Sequence, residues 1–538
     1  MHGFIRPSNT PQFWVAIDYF VHRRNSMHMR ITRHYLDVNG RRVHYRKCGS
    51  GPTLILVHQS PRSSSEYEKL MLKWGKFFTC IAPDTPGYGQ SEPLPLASPN
   101  IDDFGNALIE FLDKLNVKAV AVYGFHSGGA IAMNAHVRNP GRFTALACGG
   151  YPIWTEAEMA LYASGYLPPF KPTGYGEHLT WVWSRVLEQS WFFPWFKTEE
   201  STRMQNAHDD VQRVNSQVLE LLDAGDNYQY GYRAVLSAPS DIPSANSKHN
   251  PVLIATYQGD PLLTHLDRLP ALPDGWLTGS AANPEALEDL FLSFLKEFPT
   301  PIDANFNADN DRGFIPVESA YFNGVIHWSG SIAANTLFLH NVGESIEFVS
   351  DKTVLAFDLP GHGLSGDISD SAALNDWAEI IAGAVTALGA KNIKCIDGDR
   401  LSSLLALAIA KTIGADCVSG TNAHIPLNGD KWLAAQPDLT PDRFGSHLGK
   451  AWQVVRSSQF FWPWFEARKT NAISFQQNQI DPEFLSVAHR ALLRARSNTQ
   501  LTKLLLNSEK TLLLKNAPKI CNWNLADWAI ERDDIWRP

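Results

Sequence analysis

Short apolar runs alternating with amphipathic stretches organise residues 31–300. Residues 36–45 alternate apolar and polar positions around Asn39-Gly40, a hairpin signal. Residues 53–57 and 78–82 are short, mostly apolar runs, which predict buried strands, with a helical stretch around 67–74 between them. A helix over 103–115 leads into another apolar run, 119–123, which stops at Gly124. Within one turn the pattern becomes small and apolar residues at helical spacing, so strand, tight turn and helix are predicted there. Residues 251–255 resume the strand pattern, and 284–298 read as a closing helix. Strands alternating with helices predict a parallel sheet with right-handed crossovers. Residues 150–245 break the alternation and are helical and aromatic, with Trp154, Trp181, Trp183, Trp191, Phe192, Phe193, Trp195 and Phe196.

The pattern then repeats. The stretch Asp84-Thr85-Pro86-Gly87-Tyr88-Gly89-Gln90-Ser91 returns as Asp358-Leu359-Pro360-Gly361-His362-Gly363-Leu364-Ser365, and Gly124 maps onto Gly398 at the same offset. The aromatic run Trp191-Phe192-Phe193-Pro194-Trp195-Phe196 returns as Phe460-Phe461-Trp462-Pro463-Trp464-Phe465. A polar, turn-rich segment separates the copies, giving a linker at 301–320. The second copy is degraded: Arg400 stands where His126 stands in the first, and Asp260 falls opposite Lys519 or a neighbour. A guanidinium is a poor nucleophile or base, so the second copy is expected to be non-catalytic.

Composition narrows the function. The chain has 538 residues, too many for one core, with 44% apolar and 19% charged residues and a formal net charge of −8. That balance gives no electrostatic case for nucleic acid. No long apolar run predicts a membrane span. The six cysteines form no C-x-x-C pair and no zinc-ligand spacing, consistent with scattered thiols in a cytoplasmic protein and with no metal. Residues 1–30 form an N-terminal extension with an apolar face (Phe13, Trp14, Ile17, Phe20, Val21) and no secretory cleavage pattern.

The chemistry-bearing stretch is Gly124-Phe125-His126-Ser127-Gly128-Gly129. With His58 after one strand, the Asp84-x-x-Gly87-x-Gly89-x-Ser91 turn after the next and this elbow, the chain resembles the α/β-hydrolase fold superfamily. The resemblance implies two tandem α/β-hydrolase-like domains, each a mostly parallel sheet flanked by helices with a helical cap. The first spans 31–300 with its cap at about 150–245, and the second 321–538 with its cap at about 420–508. Small residues two before and two after the tip put His126 where such enzymes carry Ser, Cys or Asp. An alternative register puts Ser127 there and needs Phe125 in a small-residue slot.

The segment that should hold the family's base, 276–284, has no histidine. An imidazole at the tip reaches further than a hydroxyl. His126 paired with Asp260 is therefore expected to act as general base and acid, with the backbone N–H groups of Gln59 and Ser127 as oxyanion hole. His58, Trp181, Trp191 and Trp195 are candidate substrate-binding residues, and His265 and His178 are spare bases. Three functions stay open. One is a cofactor-independent hydrolase or lyase acting on a small, largely apolar carbonyl compound. Another is a catalytically silent protein binding a hydrophobic ligand or a partner. The third is a serine hydrolase using Ser127. A homodimer is a further arrangement the second copy would complete.

Overall fold

The computed structural model describes residues 29–300, 311–420, 429–509, 513, 515 and 517–521. The apolar face read at residues 13–21 and the first half of the linker lie outside them. In the first half the strands are β1 (Thr32–Val38), β2 (Arg41–Cys48), β3 (Thr53–Val57), β4 (Thr79–Pro83), β5 (Val120–Phe125), β6 (Phe143–Gly149), β7 (Val252–Tyr257) and β8 (Trp276–Ala281). The helices are α1 (Glu68–Trp74), α2 (Ile101–Lys114), α3 (Ser127–Arg138), α4 (Glu156–Gly165), α5 (Glu177–Gln189), α6 (Val211–Ala224), α7 (Tyr228–Leu236) and α8 (Pro284–Leu295). The sheet runs β1-β2-β4-β3-β5-β6-β7-β8, antiparallel through β1, β2 and β4 and parallel from β4 to β8.

Alternation along the central strands builds two apolar layers. Leu54, Leu56, Cys80, Ala121 and Tyr123 face Trp74 and Phe291 on one side of the sheet. Ile55, Val57, Ile81 and Val122 face Phe104, Phe111 and Ile131 on the other. Helix α2 starts where Asn100 accepts the Asp102 and Asp103 N–H groups and Asp103 accepts that of Asn100 in return. Helices α4 to α7 lie between β6 and β7 as an insertion with its own aromatic core.

The second half continues with β9 (Arg312–Glu318), β10 (Asn323–Gly330), β11 (Thr336–Leu339), β12 (Leu355–Phe357), β13 (Cys395–Gly398), β14 (Cys417–Ser419) and β15 (Lys519–Cys521). Its helices are α9 (Leu374–Leu388), α10 (Ser403–Ile413), α11 (Gly429–Ala435), α12 (Ser446–Ser457), α13 (Pro482–Leu493) and α14 (Asn498–Leu506). Its sheet order, β9-β10-β12-β11-β13-β14-β15, matches the first seven strands of the other sheet. Strand β9 falls inside the segment read as linker, so the second unit begins before residue 321. The ladders also correct one alignment. Ile520 pairs with Val418 as Val252 pairs with Leu146, so Lys519 stands opposite Pro251, and the counterpart of Asp260 lies beyond the described residues.

The halves meet through reciprocal contacts. Trp183 Nε1 donates to the Arg443 carbonyl at 3.1 Å, and Trp452 Nε1 to the Gly174 carbonyl at 3.3 Å. Trp183 meets His447 edge-on at 5.3 Å, and Trp452 meets His178 edge-on at 4.9 Å. Near the sheets, Tyr35 packs on Phe314 and His327 while Phe314 packs on His44. Among the described residues no helix is long and apolar enough to cross a membrane.

Candidate active site

The turn between β5 and α3 exists because two glycines allow it. A Cβ on Gly124 would stand 2.5 Å from the Gly128 carbonyl oxygen, and one on Gly128 would stand 2.0 Å from the Val57 carbonyl oxygen. Neither contact is sterically open. With those slots fixed, His126 takes the tip at φ 48°, ψ −115°, a strained conformation for a non-glycine residue. Ser127 instead opens α3.

His126 reaches Asp260. Its Nε2 lies 3.0 Å from Asp260 Oδ2. The carboxylate side chain is fully buried, while 23% of the imidazole is exposed. The Leu262 N–H donates to Asp260 Oδ1 at 2.7 Å and fixes the carboxylate from behind. Phe125 stacks on the imidazole at 4.1 Å, and Gly150 leaves the space over which the ring passes.

The other ring nitrogen does not face open space. Nδ1 lies 3.1 Å from Gln59 Oε1. The Gln59 amide is oriented by Glu66, whose Oε1 accepts its Nε2 at 2.5 Å. An amide that donates to Glu66 must present its oxygen to His126, so Nδ1 carries a hydrogen and donates it. A ring nitrogen open to substrate was expected here; a substrate must instead displace Gln59.

Several other expected roles change. The Gln59 N–H donates to Glu66 Oε2 at 3.2 Å, so it is not a free oxyanion donor. The Ser127 N–H opens α3, where no intrahelical acceptor exists. The Ser127 hydroxyl accepts the Ser60 N–H at 2.6 Å and donates to Ser60 Oγ at 3.1 Å, which turns it away from His126. His58 is buried and both its ring nitrogens are taken by backbone groups. The Thr85 N–H donates to its Nε2 at 2.8 Å and its Nδ1 donates to the Gln59 carbonyl at 3.0 Å, so it ties two loops together.

Trp191 and Trp195 give their indole N–H groups to the His208 and Tyr166 carbonyls, and Trp181 stacks on Phe170. All three build the insertion. His178 is held edge-on by Trp452. His265 accepts the Ile153 N–H at 2.9 Å, and burial, with Arg268 beside it, lowers it to about 4.

The Asp84 turn is structural. Asp84 accepts His44 Nδ1–H at 2.8 Å and the Ser64 and Gln90 N–H groups, both at 2.8 Å. Burial alone would raise its carboxyl, but His44, Arg46 and His58 outweigh burial and hold it well below the usual carboxylate range. Asp358 is held the same way by His327 in the second half. At the second elbow Arg400 occupies the tip at φ 44° and donates to Glu344 at 2.8 Å. Among the described residues no cluster of three His, Cys, Asp or Glu could hold a metal ion.

Glu66 is the functional residue the sequence did not disclose. It lies in no motif, and its role depends on the amide it orients. Arg62, which meets Glu220 across the insertion, went unseen for the same reason.

A family model described as alpha/beta hydrolase fold matches residues 52–267. Haloalkane dehalogenase 2 of Mycobacterium tuberculosis (strain ATCC 25618 / H37Rv) is 28% identical over 141 residues, 26% of this chain and 49% of that protein. The soluble epoxide hydrolase of Corynebacterium sp. (strain C12) is 35% identical over 106 residues, 20% of this chain and 37% of that protein. The chain thus spans half or less of the length of these relatives. Among solved structures, epoxide hydrolase A from Mycobacterium thermoresistibile aligns with a TM-score of 0.41 and 15% identity, over 51% of this chain and 100% of that one. With the motif order of β3 to β5, the family match makes residues 52–267 of this chain similar to the alpha/beta hydrolase fold family.

Proposed function

We propose that the first half is a cofactor-independent enzyme, a hydrolase or lyase, acting on a small, largely apolar carbonyl-containing compound, with His126 as general acid and base. The observation that carries this reading is the partly exposed imidazole at the elbow tip, 3.0 Å from a fully buried carboxylate. A buried carboxylate on Nε2 fixes the ring's orientation. As substrate displaces the Gln59 amide, Nδ1 faces it and exchanges a proton with the reacting carbon, oxygen or water. The substrate oxygen sits against the Ser127 N–H at the N-terminus of α3, where the helix dipole favours developing negative charge.

The helical insertion, read as a cap, would supply the apolar cover. The matched relatives are named as a haloalkane dehalogenase and an epoxide hydrolase, so those compound classes belong in the first screen beside esters, lactones and β-dicarbonyls. Turnover of at least one class supports the reading.

One observation favours a silent binding protein: the segment after β8 has no histidine, so no separate base serves the elbow. Saturable binding of apolar compounds without any turnover would select that alternative. The Ser127–Ser60 bonds count against a serine hydrolase.

A further inference from the structure

Arg185 is a buried cation that meets no carboxylate among the described residues. It lies on α5 beside Val182, Trp183 and Val186 and is 2% exposed. Its guanidinium carbon stands 5.0 Å over the Trp195 ring and 5.4 Å over the Tyr228 ring, so aromatic faces cover the guanidinium plane. Nη1 donates to Gln189 Oε1 at 3.0 Å. Among the described residues Nε and Nη2 meet no acceptor in good hydrogen-bond geometry, the Tyr232 hydroxyl being the polar neighbour of the guanidinium. Those two nitrogens share one edge of the guanidinium, whose parallel N–H groups take a carboxylate side-on.

Arg62 and Arg494 border the same insertion, and each meets a carboxylate, Glu220 and Asp223 respectively. Arg185 differs from both. Nor does helix packing demand a charge there: by the Trp183–Trp452 equivalence, Val454 stands at the matching position in the second half.

Tyr228, whose ring lies under the guanidinium, links Arg185 to the candidate site. The Tyr88 hydroxyl donates to the Tyr228 carbonyl at 2.8 Å, and Ser60, which holds Ser127, adjoins Tyr88. Tyr166 and Tyr232, with ring centroids 5.5 Å apart, stand beside the guanidinium. A buried guanidinium with open donors strongly favours an anion over a neutral guest, because a neutral guest leaves the charge uncompensated.

We propose that the Nε/Nη2 edge of Arg185 seats the carboxylate of a small organic acid, and that the substrate of the His126 site therefore carries a free carboxylate as well as a carbonyl. The second clause rests on the reading of His126 as a reaction centre; the first does not.

The test is a binding titration with benzoate and 4-oxopentanoate against benzamide and methyl 4-oxopentanoate, read by tryptophan fluorescence and by thermal shift. Wild type, R185Q, R185K and H126A are compared. The acids should bind saturably, at least tenfold tighter than their neutral counterparts. R185Q should lose at least tenfold in acid affinity, R185K should lose less, and H126A should still bind benzoate, which carries no ketone to meet the ring, more tightly than benzamide. Equal binding of acid and neutral probe, unchanged acid binding in R185Q, or no saturable binding of any acid overturns the subsite. Should R185Q fail to fold, the wild-type comparison and R185K still decide. Acid binding without turnover of any carbonyl compound leaves the subsite standing and removes the reaction reading. Turnover of neutral carbonyls without acid binding does the reverse.

Discussion

Substituting Gly150 by alanine tests the His126–Asp260 geometry without touching either residue. Gly150 has φ 55°, and a Cβ there would stand 2.3 Å from His126 Cδ2 and 2.7 Å from Nε2. Ordinary contacts between such atoms are about 3.5 Å, so the imidazole must move by roughly 1 Å. A shift of that size stretches the 3.0 Å Nε2–Asp260 bond to or beyond the limit of a hydrogen bond. The left-handed backbone adds a cost of about 1–2 kcal/mol, a drop of a few degrees in Tm. Misplacing a catalytic group by about 1 Å costs on the order of a hundredfold in rate. G150A should therefore stay folded and lose about a hundredfold in kcat, with KM near wild type, on whichever screened compound turns over fastest. A folded G150A with wild-type kcat would refute the argument that this ring must meet this carboxylate.

Three further outcomes follow. S127A should keep kcat within about threefold of wild type, since its hydroxyl is bound to Ser60 and not to a base, and a fluorophosphonate should leave the wild-type protein unlabelled; labelling at Ser127 contradicts this. Trp452 is fully buried against the first half's insertion, so W452A should cost about 3–5 kcal/mol in unfolding free energy, as should W183A on the reciprocal contact; a loss below about 1 kcal/mol in denaturant titration would deny that the halves brace each other. Burial lowers His136 to about 4 and His362 and His489 to about 3, so the unfolded chain takes up protons that the folded chain refuses as pH falls below 6.5. Stability should decline from pH 6.5 towards 4, by up to about 1.4 kcal/mol per pH unit for each fully buried ring, and decline further below about 4, where the unfolded chain protonates the Asp84 and Asp358 carboxylates that the fold keeps charged; a Tm that is flat or rising across that window refutes it.

Periodicity made the architecture legible. Short, mostly apolar runs at β3, β4 and β5 and the glycine spacing around His126 encode strand, turn and helix in local terms, and the structure places the tip residue accordingly. The pairing with Asp260 was also legible, because the elbow after β5 and the loop after β7 lie at the same edge of a parallel sheet with only β6 between them. What stayed hidden depends on side-chain direction. Nothing in the pattern around Gln59 says that its N–H and its amide both turn to Glu66, and so removes one oxyanion donor and supplies an acceptor to His126. His58 looked available because its sequence position borders the site; its two nitrogens are taken by backbone groups from two separate loops. Arg185 was overlooked because a charge beside a hydrophobic helix face reads as solvated until its burial is seen. The start of the second unit was misplaced because strand β9 carries polar residues on alternate positions and blends with the preceding linker.

The account's central claim is that the imidazole at the elbow tip exchanges a proton with the substrate. The measurement that meets it most directly is the single-turnover rate of H126A against wild type on the best compound of the screen, with matched Tm values to show both are folded. Loss of a general acid–base group predicts a fall of about a hundredfold to ten-thousandfold in the chemical step. An H126A protein that turns over substrate at the wild-type rate would contradict it.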